Sequence, residues 1–381
     1  MRIGIVTGEY PPMEGGVGAY SAILAERLTQ QGHQVYVLSS TAAHASHPKI
    51  TVDASIHRWS PGALQMIRQW ARTNHLDVIS LQFQTAAYQM SPYVHFLPET
   101  VHPIPLVTTF HDLRVPYLFP KAGKLRNWIV MRLARASDGV ITTNHEDLEQ
   151  VTHLPCTAMI PIGSNILPIL PDTFDREAHR ERLGISAGEF VIGFFGLINR
   201  SKGVETLLET AAILRADAVP VRVLFIGGTA GSSDPTNLSY IAEINSRIDR
   251  LDLENIVIRT GYIDEVQVAA ALRSVDGIAF PFRDGVSYRR GSLMAALQYG
   301  CAIITTPPVV PNPDLVDGEN MLFHPVEDAR GLAAHCRRLY HDADLQAKLS
   351  AGALVLARRF EWDTIARETA AFLQKAAGVS V

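Results

Sequence analysis

The chain has 381 residues, enough for two domains with separate cores, and its 47% apolar and 19% charged content is that of a soluble globular protein. A formal net charge of −4 argues against a general nucleic-acid binder. The three cysteines, Cys156, Cys301 and Cys336, form no metal spacing and no disulfide framework, which fits a reducing cytoplasm. We expect no signal peptide and no membrane span, because residue 1 leads directly into a strand and no apolar run is long enough.

In chain order, residues 2–7 read as a strand, 15–18 as a glycine-rich turn and 19–28 as a helix. Gly32-His33-Gln34 stops that helix before a strand at 35–38. A polar loop with a short strand fills 41–60, a helix 64–73 and a strand 76–81. A strand at 105–110 ends on His111-Asp112, a helix is predicted over 121–137, a strand over 139–143, and 158–163 closes this half. Pro168 to Asp175, rich in Pro and Asp, reads as a linker. The pattern then restarts with strands at 191–196 and 221–228, a Gly/Ser/Asp/Pro loop at 228–237 and a helix at 238–251. A strand and turn at 256–262, a helix at 266–273, a strand at 277–281, a helix at 292–299 and a strand at 302–306 follow, and 332–377 is almost all helical. Alternating strands and helices predict an α/β protein with mostly parallel sheets covered on both faces.

The organising stretch is Val191 to Ala212: an apolar strand, the turn Gly196 to Gly203 with Arg200 and Lys202, and a helix. Strand–turn–helix geometry places free N–H groups of a helix start beside the strand's carboxyl end, a place suited to phosphate. Arg200 and Lys202 are therefore phosphate candidates rather than two solvated charges. Phe282 to Leu293 repeats the idea after another buried strand, with Arg289 and Arg290 beside the N–H groups of Gly291 and Ser292. His111 follows a strand where ligands bind in open sheets, and could bond a hydroxyl or a phosphate oxygen, or merely satisfy a loop carbonyl. The turn at Gly15-Gly16 admits close approach of a sugar or phosphate, or is simply tight. It is not read as a dinucleotide site, because Ser39-Ser40 and no acid follows the second strand. Lys121, Lys124, Arg126, Arg132 and Arg135 with Trp128 make a basic amphipathic helix, either a solvated face or a lipid contact. Asp342-Ala343-Asp344 is read as surface charge or a helix cap, and no metal is expected.

Taken together, the pattern resembles the family-four retaining glycosyltransferases, which have the GT-B fold. The resemblance rests on the double-glycine opening within Ile3–Leu28, on His111-Asp112, on Ser137-Asp138-Gly139-Val140-Ile141 and on Ile160-Pro161-Ile162-Gly163. It continues through Gly196 to Lys202-Gly203, Gly261-Tyr262, Gly300 to Thr306, Asp317 to Leu322 and Phe360-Glu361-Trp362. Two family features are replaced. The paired glutamates that face the transferred sugar and the nucleotide ribose fall at Ser287 and Ala295, and the usual arginine of the phosphate turn falls at Leu197.

The resemblance implies two Rossmann-like domains with parallel sheets facing a cleft. Residues 1–168, plus a helix at about 362–381 crossing back, would form the acceptor side, and 169–361 the donor side. It implies metal-independent, retaining transfer of a sugar from a nucleotide-diphosphate sugar to an acceptor hydroxyl, with no cofactor. The expected catalytic residues are His111, Arg200 and Lys202. Donor binding is expected of Gly15, Gly16, Gly196, Gly261, Tyr262, Asp284, Ser287, Arg289, Arg290, Gly291 and Ser292, with Asp284 taking the sugar contact of the displaced acid. The acceptor would be a glycan, a lipid-linked or a small molecule, with no nucleic-acid partner, in the cytoplasm and with room for peripheral contact at the inner face of a membrane. The alternatives are a phosphorylase or epimerase on the same scaffold, or a sugar-nucleotide-binding scaffold protein impaired in catalysis.

Overall fold

The computed structural model describes residues 1–13, 15–44, 47–113, 124–166, 170–228 and 235–378, without the side chains of 124–127 and 235–238. The expected boundary at 168/169 and Lys121 of the basic helix lie outside the described residues. The chain divides into two compact units, Met1–Asn165 with Phe360–Val381, and Ile166–Arg359.

The first unit contains β1 (Arg2–Thr7), α1 (Gly16–Gln30), β2 (Gln34–Ser40), β3 (Thr51–Ile56), α2 (Pro61–Thr73) and β4 (Val78–Phe83). Then come α3 (Leu97–Val101), β5 (Leu106–Phe110), α4 (Lys124–Ala136), β6 (Gly139–Thr142), α5 (His145–Val151) and β7 (Thr157–Met159). Among the described residues its sheet has seven strands, all parallel, in the order β3-β2-β1-β4-β5-β6-β7. Every residue of β4 and β5 is buried, as expected of central parallel strands covered on both faces. Ile79, Leu81, Phe83 and Phe110 pack with Ile67 and Trp70 of α2 and Leu133 of α4. Each such side chain contributes about 1.5–3 kcal/mol when fully buried.

The second unit contains α6 (Arg176–Arg182), β8 (Phe190–Phe195), α7 (Val204–Ala216), β9 (Val221–Ile226), α8 (Pro235–Arg250) and β10 (Val257–Arg259). It continues with α9 (Glu265–Ser274), β11 (Gly277–Phe280), α10 (Gly291–Gln298), β12 (Ile303–Thr305), β13 (Leu322–Phe323), α11 (Ala329–His341) and α12 (Ala343–Ala357). Among the described residues its sheet has six strands, again all parallel, in the order β10-β9-β8-β11-β12-β13. Phe190, Ile192 and Phe194 of β8 pack with Leu207, Leu208 and Ala211 of α7 in a second core.

The chain ends with α13 (Trp362–Ala376), which belongs to the first unit. There the Trp362 indole N–H donates to the Ser164 carbonyl at 2.7 Å, and its ring lies 5.2 Å from that of Tyr20 on α1. Asp342 caps α12 by accepting the Leu345 N–H, so the Asp-x-Asp stretch has a local structural role. Among the described residues no helix is long and apolar enough to cross a membrane.

Candidate active site

In each sheet the strand order reverses once, between β1 and β4 in the first unit and between β8 and β11 in the second. Outside the carboxyl ends of such strands open α/β sheets bind ligands.

In the second unit two loops meet there. Gly196 leaves β8 at φ +113, and a 3₁₀ turn, Arg200–Lys202, leads to Gly203 at φ +62, the N-cap of α7. A side chain at Gly203 would run into the Pro281 carbonyl, so this turn closes directly on the segment after β11. The Arg283 N–H donates to the Ser201 carbonyl at 2.9 Å, and Arg290 reaches the Ser201 hydroxyl at 3.4 Å. The Gly196 and Ser292 backbones also come close: a Cβ on Gly196 would lie 3.8 Å from that of Ser292.

Lys202 occupies this junction. Its ammonium lies against Gly196, where any side chain would displace it. Burial, with the charge of Arg290 as the lesser cause, pushes its pKa down to about 8. Among the described residues it has no carboxylate and no hydrogen-bond acceptor; its contact is the Phe194 ring, 5.8 Å away. The backbone N–H groups of Gly291 and Ser292, first in α10, are likewise without a partner among the described residues. An uncompensated cation next to open helix-start amides is an arrangement suited to an anion.

The other predicted cations are engaged. Arg290 pairs with Asp284 and lies 4.6 Å from the Phe282 ring centre. Arg289 reaches the Ser287 hydroxyl at 3.4 Å through both its backbone N–H and Nε. Arg200 points to α8, bonding Glu243 at 2.8 Å and lying 4.9 Å from the Tyr240 ring centre, with 60% of its side chain exposed. The structure therefore gives Lys202, not Arg200, the position at the junction. Arg283 is held by Glu205, which also accepts the Tyr240 hydroxyl, and by Glu327 at 3.1 Å. Beyond β9 and β10, Gly227 bridges Gly261, its N–H donates to the Thr260 hydroxyl at 3.0 Å, and the Tyr262 ring is 87% exposed.

In the first unit, His111 follows β5 and its N–H donates to the Phe83 carbonyl at 3.0 Å. Its Nε2 lies 3.0 Å from Gln82 Oε1, while the Gln82 amide nitrogen donates to the Ser80 hydroxyl at 2.9 Å. With the amide so oriented, Nε2–H is the donor and Nδ1 keeps a lone pair. Burial pushes the His111 pKa down to about 4, so the ring is neutral at physiological pH. The Tyr20 ring meets it edge-on, 4.7 Å between centroids. A Cβ on Gly15 would strike the Glu9 carboxylate, whereas one on Gly16 meets nothing within 4 Å among the described residues. Gly16 thus leaves room for a ligand, and Gly15 makes room for Glu9.

Sequence reasoning passed over Glu9 and Gln82. The signal for Gln82 was present: an amide inside the apolar strand Leu81-Gln82-Phe83. A cavity of about 720 Å³ lined by Phe174, His179 and Val266 shares no residue with the Lys202 junction.

Comparison with known sequences agrees with this arrangement. The model of Glycosyltransferase Family 4 matches residues 14–163, and that of Glycosyl transferases group 1 matches residues 189–342. The chain belongs to the family-four glycosyltransferases. This glycosyltransferase is 24% identical over 413 residues to the phosphatidyl-myo-inositol mannosyltransferase of Mycolicibacterium smegmatis, covering 100% of this chain and 95% of that one. It is 24% identical over 414 residues to the D-inositol 3-phosphate glycosyltransferase of an Arthrobacter species, covering 97% and 93%. Its fold is that of sucrose-phosphate synthase from Thermosynechococcus elongatus, with a TM-score of 0.79 at 19% identity and all of both chains covered. It is also that of Anabaena HepE, solved in complex with UDP, with a TM-score of 0.78 at 20% identity over 98% of this chain and 100% of that one. The enzyme is thus a GT-B glycosyltransferase. At the family's two acidic positions the Ser287 side chain is buried among its own loop and Ala295 is wholly buried in α10.

Proposed function

We propose that this enzyme moves a sugar of hexosyl type from a nucleoside-diphosphate sugar to an acceptor hydroxyl, with retention at the anomeric carbon and no metal requirement. The observation that carries the reading is Lys202: a partly buried ammonium with no counterion among the described residues, beside the open amides of Gly291 and Ser292. In this reading the diphosphate lies between them. As the bond between sugar and phosphate breaks, negative charge grows on the leaving oxygen, and these fixed positive groups stabilise it. Metal independence rests on the same groups meeting that charge, and undiminished transfer in excess chelator tests it.

Arg290 belongs to the same anion site, because its charge already acts on Lys202. Its partner Asp284 then has a second role. Beside Arg290, the Asp284 carboxylate is offered to a sugar hydroxyl, in place of the acid absent from Ser287. Gly261 and the exposed Tyr262 ring offer a stacking face for a base. Neutral His111, with its Nδ1 lone pair, suits a hydroxyl of the sugar or acceptor better than a phosphate oxygen. HepE was solved with UDP and UDP-glucose, so uridine nucleotides are the first donors to test. The two relatives above are named for phosphatidyl-myo-inositol and D-inositol 3-phosphate, so myo-inositol and its phosphates are the first acceptors to test. A lipid-linked acceptor on the cytoplasmic face of a membrane fits the exposed Trp128 of α4, although Arg132 there is already held by Glu99 at 2.6 Å.

One observation favours a second reading. Ser287 and Ala295 stand where catalytic acids are expected, which suits a protein that binds nucleotide sugars without turning them over. Product analysis with and without acceptor separates the two, and also detects a phosphorylase or epimerase. Anomer-resolved NMR of the product then tests retention.

A further inference from the structure

The first unit has an uncompensated charge of its own, of the opposite sign. Glu9 follows β1 by two residues, at the carboxyl edge where strand order reverses. Its side chain lies across the start of α1: it fills the space a Cβ would need at Gly15, and its backbone comes within 3.2 Å of the same position at Gly18. Among the described residues no N–H or O–H donates to the carboxylate and no cation pairs with it. The Thr7 hydroxyl bonds the Glu9 carbonyl, not its carboxylate. The nearby Tyr88 hydroxyl donates to the carbonyls of Val6 and Gln82.

Other carboxylates of this unit show the contrast. Asp77 accepts the Arg2 N–H at 2.7 Å, Asp138 the Leu106 N–H at 2.8 Å, and Asp147 the Asn144 amide at 2.8 Å. Glu9 has no such donor. Burial raises its pKa, as expected of a carboxylate partly withdrawn from water with nothing to receive. Among the described residues nothing fills the space next to it, over Gly16. A group kept half-buried and unsatisfied at the ligand edge of a sheet is incomplete without a ligand that brings donors.

We propose that Glu9 is an acceptor-binding residue whose two carboxylate oxygens receive hydroxyl hydrogens from an uncharged polyol. It rests on the transfer reading above. The same carboxylate repels a phosphate at that spot, so Glu9 selects neutral acceptors over their phosphorylated forms.

The test compares transfer to myo-inositol, glucose, mannose and glycerol, and to a monophosphate of each, by wild type, Glu9→Gln and Glu9→Ala. Acceptor-free hydrolysis of the donor and thermal stabilisation by nucleoside diphosphate report on the donor side. We expect the wild type to use at least one neutral polyol in clear preference to its phosphate. Glu9→Gln, nearly isosteric, should raise the KM for that polyol about tenfold, the equivalent of one charge-assisted hydrogen bond. Its donor KM, hydrolysis and thermal shift should stay unchanged. Glu9→Ala should raise the acceptor KM further; if it fails to fold, Glu9→Gln decides. An unchanged acceptor KM in Glu9→Gln, a preference for phosphates in the wild type, or no neutral polyol accepted overturns the role of Glu9. Absence of any nucleotide-dependent stabilisation in the wild type instead overturns the transfer reading on which it rests.

Discussion

The two units use one architectural idea with opposite charge. Each has a parallel sheet, a first strand in mid-sheet and a loop from that strand to a helix at the point where strand order reverses. In the second unit that loop holds Lys202, in the first Glu9, and among the described residues neither has a counter-charge. Both pKa values are moved by burial in the direction that disfavours the charge. A protein optimised for stability alone would pair or remove such groups. In the reading proposed above both loops are sites, one for an anion and one for a hydrogen-bond donor. The fold supplies the place, and one side chain decides what is recognised.

The comparison breaks most visibly at Lys202. Lys202→Ala should weaken nucleoside-diphosphate binding by about 10- to 100-fold, the range expected for one or two charge-assisted bonds. The unliganded protein should be as stable as wild type or slightly more so, because an unpaired, partly buried cation is removed. Calorimetric titration together with a melting curve measures both, and a large loss of unliganded stability would mean that Lys202 is structural.

The next effect is pH dependence. The pKa of Lys202 in the folded protein is about 8, against an ordinary value of 10.5. Diphosphate affinity should be flat with respect to this group below pH 8 and fall as pH rises beyond it, since the neutral amine binds the anion poorly. Folding stability takes the other sign. Between about 8 and 10.5 the unfolded chain holds the proton and the folded one has lost it, so the Lys202 contribution rises with pH. Affinity measured from pH 7 to 9.5, with Lys202→Ala as the control lacking this fall, checks it.

His111 provides a smaller signal. Its pKa is lowered to about 4 from 6.5, so the stability linked to it is fully present above 6.5 and is lost as pH falls toward 4. His111→Asn should flatten that part of the stability profile. Transfer by the wild type should show no imidazole titration between pH 6 and 8, and a rate step there that disappears in His111→Asn would contradict the neutral ring.

The smallest effect belongs to Arg200. Its pairing with Glu243 is exposed, and such pairs contribute about 0–1 kcal/mol. Arg200→Ala should change diphosphate affinity less than threefold and stability hardly at all. A loss matching that of Lys202→Ala would show that Arg200 swings into the site.

Why the sequence read well in some places and not others follows from range. The sheets were legible because central parallel strands are continuous apolar runs, and the helices over 204–216 and 329–341 repeat their buried positions at 3.6 residues. Short elements left no such trace: α5 and α6 have little apolar content, and β13 is only two residues long. Arg200 and Lys202 looked alike in sequence, but a 3₁₀ turn has three residues per turn, so residues two apart differ by about 240° in direction. One therefore reaches α8 and the other the junction. The Arg290–Asp284 pair and the solitude of Glu9 depend on how a loop folds back, and no local pattern encodes them.

The most direct test of the account is calorimetric titration of wild type and Lys202→Ala with UDP, GDP, ADP and dTDP. The account predicts that one of these binds the wild type and loses about 10- to 100-fold in affinity in Lys202→Ala, with the melting temperature of the unliganded variant maintained. Binding of none of them, or equal binding to both proteins, would contradict it.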